Sequence, residues 1–247
     1  MAQIIEKPSP LKRQYNKAIK KVKTFALFSV IFILAAILGS IVAENLLLFG
    51  ICIIGISVLG FIICVVFWAV MQNNINILKS GIEGELATAN ALSSLPAGYH
   101  IFQNAVIPSD EKTSELDLIV IGENGVFVVE SKSRNGRITG NFSGTKWTQH
   151  KIGAGGGEYS VDFYSPIKQV GTHIFRLAHF LQSNNIKTHI NGIVYFSNQD
   201  ADVHISGNEG SIPVITKKSA LKQHILKGEN LLNEDEIQHI CKILSDM

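Results

Sequence analysis

Apolar and polar positions along this chain fall into two regimes that meet near Ser80. Phe25–Ala43 is one apolar stretch and Leu46–Val70 a second, separated only by Glu44-Asn45. As a helix each is long enough to cross a hydrocarbon layer of ~30 Å, and so short a connection makes a tight helical hairpin. A secretory leader has an apolar region of only about 7–15 residues, so this pair reads as membrane anchors that stay with the protein. The expected organisation is a basic tail over 1–23, a transmembrane hairpin over 24–71 with spans 25–43 and 46–70, and a soluble domain over 80–247.

From Gly81 onward short apolar runs alternate with polar turns, the pattern of an α/β domain. Ile82, Leu86, Ala89 and Leu92 recur at helical spacing behind a cap at Ser80 or Gly81, and Pro96-Ala97-Gly98 ends that helix. Tyr99–Ile107 reads as a strand closed by Pro108, with a polar turn at Ser109–Ser114. Leu116–Ile121 and Val126–Val129 then flank Gly-Glu-Asn-Gly, the signature of an antiparallel hairpin. Arg137–Thr139 and Lys146–Thr148 suggest a second hairpin through Gly140–Gly144, with Trp147 as a packing residue, and Gly153–Gly157 is a flexible loop. Ser165-Pro166 starts a helix with Ile167, Val170, Ile174, Leu177, Ala178 and Leu181 as its buried stripe, leaving Gln169, His173 and Arg176 on a solvated side. Gly192–Ser197 and Pro213–Ile215 are further strands; Ser219–Leu226 and Asn233–Leu244 are closing helices, the last with a capping box between Asn233 and Glu236.

The first hairpin carries the candidate chemistry. A loop made only of Asn124-Gly125 sets Asp117 opposite Lys132, whereas a Gly122–Gly125 loop sets Asp117 opposite Glu130. In both registers Asp117, Glu130 and Lys132 project from one face, within roughly 5–8 Å of one another. The strands are apolar on both faces, so these charges are partly desolvated and call for a partner, a metal or a reaction. Two carboxylates suit Mg²⁺ or Mn²⁺ with positions open for water and phosphate, and an adjacent ammonium suits the charge that develops in phosphodiester hydrolysis. A cross-strand ion pair is the plainer reading of the same residues. Glu85 lies at the edge of the first helix's apolar stripe, where a site role is credible; Glu83 is turned away by about 200° and suits the helix dipole.

Charge refines this picture. The chain is +2 overall, but from Gly81 onward fourteen Lys/Arg face eighteen Asp/Glu, a net of −4. The positive balance comes from Lys7, Lys12, Arg13, Lys17, Lys20, Lys21 and Lys23, which mark the cytoplasmic side and, after two crossings, bring the C-terminal domain there too. A net acidic domain is not built for strong nonspecific attraction to nucleic acid, although Lys132, Arg134, Arg137, Lys146 and Lys151 form a local basic flank. Cys52, Cys64 and Cys241 show no disulfide or zinc spacing, and neither span contains a charge that would mark a transport path.

The order helix, three strands, helix, strand, with Asp117 followed by Glu130-x-Lys132, resembles the PD-(D/E)xK nuclease superfamily and its restriction-endonuclease-like αβββαβ core. Gly81-x-x-Gly84-Glu85, Glu115-Leu116-Asp117, Gly125 through Lys132, Gly136 with a later Trp147, and Pro166-x-x-Gln169 resemble its nuclease-related (NERD) family, over roughly Gly81–Ser197. The resemblance implies Asp117 and Glu130 as metal ligands, Lys132 as the catalytic lysine, and Glu85 and Gln169 as further site residues. It implies a Mg²⁺- or Mn²⁺-dependent nuclease acting on nucleic acid, DNA first. The apolar hairpin and its basic tail, which the family's domain does not require, are what put the expected activity at the cytoplasmic face of a membrane, expected to be a bacterial inner membrane. The alternative is a non-catalytic tethered module that keeps the fold and binds nucleic acid or protein. A two-helix anchor can also pack with copies of itself into a homo-oligomer.

Overall fold

A computed structural model of the chain describes residues 1–108, 113–153 and 155–247. Residues 109–112 of the expected polar turn, and Ala154 of the glycine-rich loop, lie outside the described residues. The described chain forms two compact units, Pro10–Ser80, and Met1–Ser9 with Gly81–Met247.

The first unit is helical. Helix α1 (Pro10–Ala43) is followed by α2 (Leu47–Leu92) after a turn at Glu44-Asn45. Phe25 stacks on Phe67 with ring centroids 3.7 Å apart, Gly60 leaves room for Phe32, and Gly50 receives Ala43. Of the three evenly spaced glycines Gly55 faces open space, so close packing uses only two of them. Leu, Ile, Val and Phe side chains point outward from both helices, as they do where the solvent is lipid. Both helices are long and apolar enough to span a bilayer, and we describe the pair as an integral-membrane hairpin.

Helix α2 corrects one expectation: no new helix starts at Ser80 or Gly81, because Met71–Lys79 contains no breaker and a single glycine costs only about 1 kcal/mol. The buried positions of its last turns are Gly84, Thr88, Ala89, Ala91 and Leu92, while Leu86 is exposed.

The second unit is built on a six-stranded sheet of order β1-β2-β3-β4-β8-β10. Its strands are β1 (Gln3–Glu6), β2 (His100–Ile107), β3 (Ser114–Gly122), β4 (Gly125–Lys132), β8 (Ile190–Phe196) and β10 (Val214–Ile215). Strands β2, β3 and β4 are antiparallel, and β8 runs parallel to β4, as a crossover through α3 (Pro166–Ser183) requires. On one face Ile119, Ile121, Val126 and Val128 pack under α3 and α5 (Glu234–Ser245); on the other Leu118, Val120, Phe127 and Val129 pack under the end of α2 and α4 (Lys218–Leu226). Burial on both faces explains the continuous apolar runs. The capping box of α5 is formed by Asn233 and Glu236.

Residues before Pro10 are not a loose tail. Gln3–Glu6 pairs parallel with His100–Gln103, and Lys7 Nζ donates to the carbonyls of Ser245 (2.8 Å) and Met247 (2.9 Å) at the end of α5. Strand β1 precedes the apolar hairpin and β2 follows it. Their pairing puts both ends of that hairpin on the same side.

Between β4 and α3 the chain forms β5 (Gly136–Asn141), β6 (Lys146–Ile152) and β7 (Glu158–Tyr164), and β9 (Ala201–Ser206), which follows β8, pairs parallel with β5 to complete a second sheet of order β7-β6-β5-β9. Trp147 is fully buried beneath it, between Phe163 and Phe196.

Candidate active site

The site begins with the register of the β3–β4 hairpin. Gly122 pairs with Gly125 and Ile121 with Val126, so Glu123-Asn124 form the turn and Gly125 takes the left-handed φ of +116°. Asn124 is held by the Tyr99 hydroxyl and by Gly228 O, and Glu123 O accepts from the N–H groups of Leu231 and Leu232. The turn is therefore fixed by tertiary contacts, and continuing the ladder brings Asp117 opposite Glu130, the second of the two registers anticipated.

Lys132 Nζ donates to Glu130 Oε1 at 2.6 Å and to Gln169 Oε1, from α3, at 3.1 Å. Its partner is thus Glu130 and not Asp117. The Ser131 N–H donates to Asp117 Oδ2 at 2.9 Å. Ser131 Oγ lies 2.7 Å from Thr88 Oγ1, and both hydroxyls reach Gly84 O, which pins the last turns of α2 to the end of β4. Gly84 is required at this crossing, since a Cβ there would stand 2.5 Å from Ser133 Cβ. That approach brings the half-buried Glu85 into electrostatic contact with Asp117.

The two carboxylates behave differently. Burial, then the charge of Glu130, pushes Asp117 well above the usual carboxylate range, with Glu85 adding to the rise and Lys132 and the Ser131 N–H opposing it. Burial also pushes Glu130 up, but the hydrogen bond of His173 and the charge of Lys132 outweigh it and hold Glu130 below its ordinary value.

All five anticipated residues thus lie at one end of the hairpin: Glu130 and Lys132 in direct contact, Gln169 bound to Lys132, Asp117 bound to the Ser131 N–H between them, and Glu85 linked to Asp117 by charge. His173, expected on a solvated face, is instead 7% exposed. Its Nδ1 lies 3.0 Å from Ser114 Oγ and its Nε2 3.4 Å from Glu130 Oε2. The signal was present, because 166, 170, 173, 177 and 181 are the buried positions of α3 and His173 falls at that spacing. Ser165 starts α3 as expected, but its hydroxyl caps nothing and is buried without a partner among the described residues.

The donors fit a hard divalent cation. The buried Glu130 lies opposite the half-buried Asp117, the charge of Glu130 bears on Asp117, and Glu130 Oε2 has no hydrogen bond of ordinary geometry among the described residues. Among those residues no group of three or more His, Cys, Asp or Glu side chains is placed to hold a metal, so the set on offer is Asp117 and Glu130.

The basic flank is only partly at the site. Arg134 donates to the buried Gln149 Oε1 at 2.7 Å and lies 4.0 Å over the Phe163 ring, so it holds the second sheet together. Arg137 and Lys151 line an open cleft of that sheet with His150, Glu158 and Tyr159.

No solved structure matches the chain. An uncharacterized protein of Bacillus anthracis is 39% identical over 71 residues, which is 28% of this chain and 34% of that protein. The chain thus matches about a third of that relative's length. The family model of the nuclease-related domain, NERD, matches residues 80–197, the stretch that runs from the end of α2 to the end of β8 and contains Glu85, Asp117, Glu130, Lys132, Gln169 and His173.

Proposed function

We propose that this protein is a membrane-anchored, divalent-metal-dependent nuclease that hydrolyses phosphodiester bonds in DNA at the cytoplasmic face. The observation that carries the reading is the meeting of Asp117, Glu130, Lys132 and Gln169 at one end of two buried strands, inside the segment that matches the nuclease-related domain. The order α2, β2, β3, β4, α3, β8, with β5, β6 and β7 of the second sheet inserted before α3, supports a restriction-endonuclease-like core.

In this reading Asp117 and Glu130 hold Mg²⁺ or Mn²⁺, which when bound supplies positive charge to a phosphate oxygen and to the attacking water. Asp117 is kept in place by the Ser131 N–H. Lys132 is held by two acceptors, Glu130 Oε1 and Gln169 Oε1, so its ammonium is aimed before substrate arrives, and it stabilises the negative charge that grows on the phosphoryl group in the transition state. Glu85 adds negative charge beside Asp117 and strengthens the hold on a cation. Seven basic residues before Phe25 and the β1–β2 pairing support a cytoplasmic placement of the domain, at the bacterial inner membrane.

The test uses the detergent-solubilised full chain with labelled DNA and Mg²⁺ or Mn²⁺. Cleavage that EDTA stops and Lys132→Ala lowers by roughly 10²–10⁴-fold, with metal binding retained, supports the reading. Equal cleavage by parent and variant would remove Lys132 from the chemistry. No cleavage of DNA or RNA by the parent would favour the non-catalytic tethered module.

A further inference from the structure

We propose that His173 is a positioning residue that holds the second oxygen of Glu130, with Ser114 fixing the imidazole behind it. The inference rests on the metal-site reading above and adds a group to it.

Glu130 is 2% exposed, and its Oε1 is taken by Lys132. Among the described residues, the ion-pair neighbour of its Oε2 is His173 Nε2, at 3.4 Å. Two assignments of the ring protons compete. If Nε2 is bare, it can accept from Gln169 Nε2 at 3.5 Å, but its lone pair then points at a buried carboxylate oxygen. If Nε2 carries a proton, it faces Glu130 Oε2, and the loss is one long bond from a Gln169 amide that keeps its better bond to Lys132 through Oε1. An unpartnered buried carboxylate oxygen costs more than one unused amide hydrogen, so Nε2 carries the proton. Ser114 Oγ, 3.0 Å from Nδ1, suits this arrangement because a hydroxyl can turn to donate to that nitrogen.

The three residues come from three elements: Ser114 begins β3, Glu130 lies on β4 and His173 on α3. The contact therefore fixes the rotation of the Glu130 carboxylate between a lysine on one oxygen and an imidazole on the other. Groups of this kind, one step behind a metal ligand, typically change metal affinity by about 10–100-fold when removed.

Mn²⁺ affinity of the full chain in detergent, followed by electron paramagnetic resonance alongside melting temperature, tests the proposal. His173→Leu, which keeps the bulk and removes the N–H, is expected to weaken Mn²⁺ binding by about 10–100-fold. His173→Gln, whose amide N–H reaches the place of Nε2–H, is expected to recover most of it, and Ser114→Ala to lose less than His173→Leu. A role confined to packing would lower the melting temperature of His173→Leu and leave Mn²⁺ affinity alone, and that result overturns the proposal. If His173→Leu does not fold, parent-like Mn²⁺ affinity in Ser114→Ala overturns it instead. A parent that binds no Mn²⁺ sinks the metal-site reading and this inference together, whereas a parent that binds and a His173→Leu variant that binds equally sink this inference alone.

Discussion

The β3–β4 and β6–β7 hairpins are built from similar lengths of chain and carry similar charged residues, but they sit in opposite surroundings. In β3–β4 nearly every position is buried, and Asp117, Glu130 and Lys132 are tied into one network with Ser131 and Gln169. In β6–β7 the charges of Lys146, Glu158 and Asp162 face water, and Asp162 accepts from the half-buried Thr148 at 2.9 Å. An ion in water needs no partner, so the second hairpin's charges call for no explanation beyond solubility. An ion under two layers of helix must be compensated, and that cost is the reason to read the first hairpin as a site.

Substitutions sharpen this contrast. The largest effect is expected from Glu130→Ala, which leaves Lys132 and His173 facing a hole: turnover in a DNA-cleavage assay should fall by roughly 10²–10⁴-fold. Trp147→Ala, beneath the second sheet and away from the carboxylates, should cost about 3–5 kcal/mol in denaturant unfolding, because a fully buried indole is lost. Arg134→Ala strands the buried Gln149 Oε1 and removes the contact with Phe163, so about 1–3 kcal/mol is expected from the same measurement. Asp162→Ala should stay within about 0.5 kcal/mol of the parent and leave turnover unchanged. If Asp162→Ala matched Glu130→Ala in either assay, the distinction between the hairpins would fail.

A titration probes the same point away from the site. Burial, with the charge of Glu234 second, pushes the Cys241 thiol up to about 12. The folded value lies above the ordinary one of 9.0, so this contribution is present below pH 9 and is lost as pH rises from there toward 12. Cys241 should resist alkylation at pH 8 until the domain unfolds; rapid labelling of the native protein would contradict its burial.

What could be read from the sequence follows the same division. Strands buried on both faces declared themselves as apolar runs, and with them the end of the hairpin where Asp117, Glu130 and Lys132 meet. Strands β7 and β9 did not, since Glu158–Tyr164 and Ala201–Ser206 are largely exposed and polar or mixed in pattern. Strand β1 was hidden because four residues with Ile4 and Ile5 pair with an edge that is distant in sequence. The hairpin register was open until Tyr99, Gly228, Leu231 and Leu232 were seen to fix the turn from outside it. His173 was misjudged because a polar residue in an apolar stripe reads as the stripe's edge, and only the carboxylate above it explains why it is inside.

The central claim is that Asp117 and Glu130 together bind the metal that supports DNA hydrolysis. The most direct measurement is single-turnover cleavage of labelled duplex DNA by the full chain across a Mn²⁺ titration, with parent and Asp117→Asn compared. The account predicts cleavage that saturates with Mn²⁺ in the parent and a loss of roughly 10²–10⁴-fold in the variant that added Mn²⁺ does not restore. Parent-like, Mn²⁺-dependent cleavage by Asp117→Asn would contradict it.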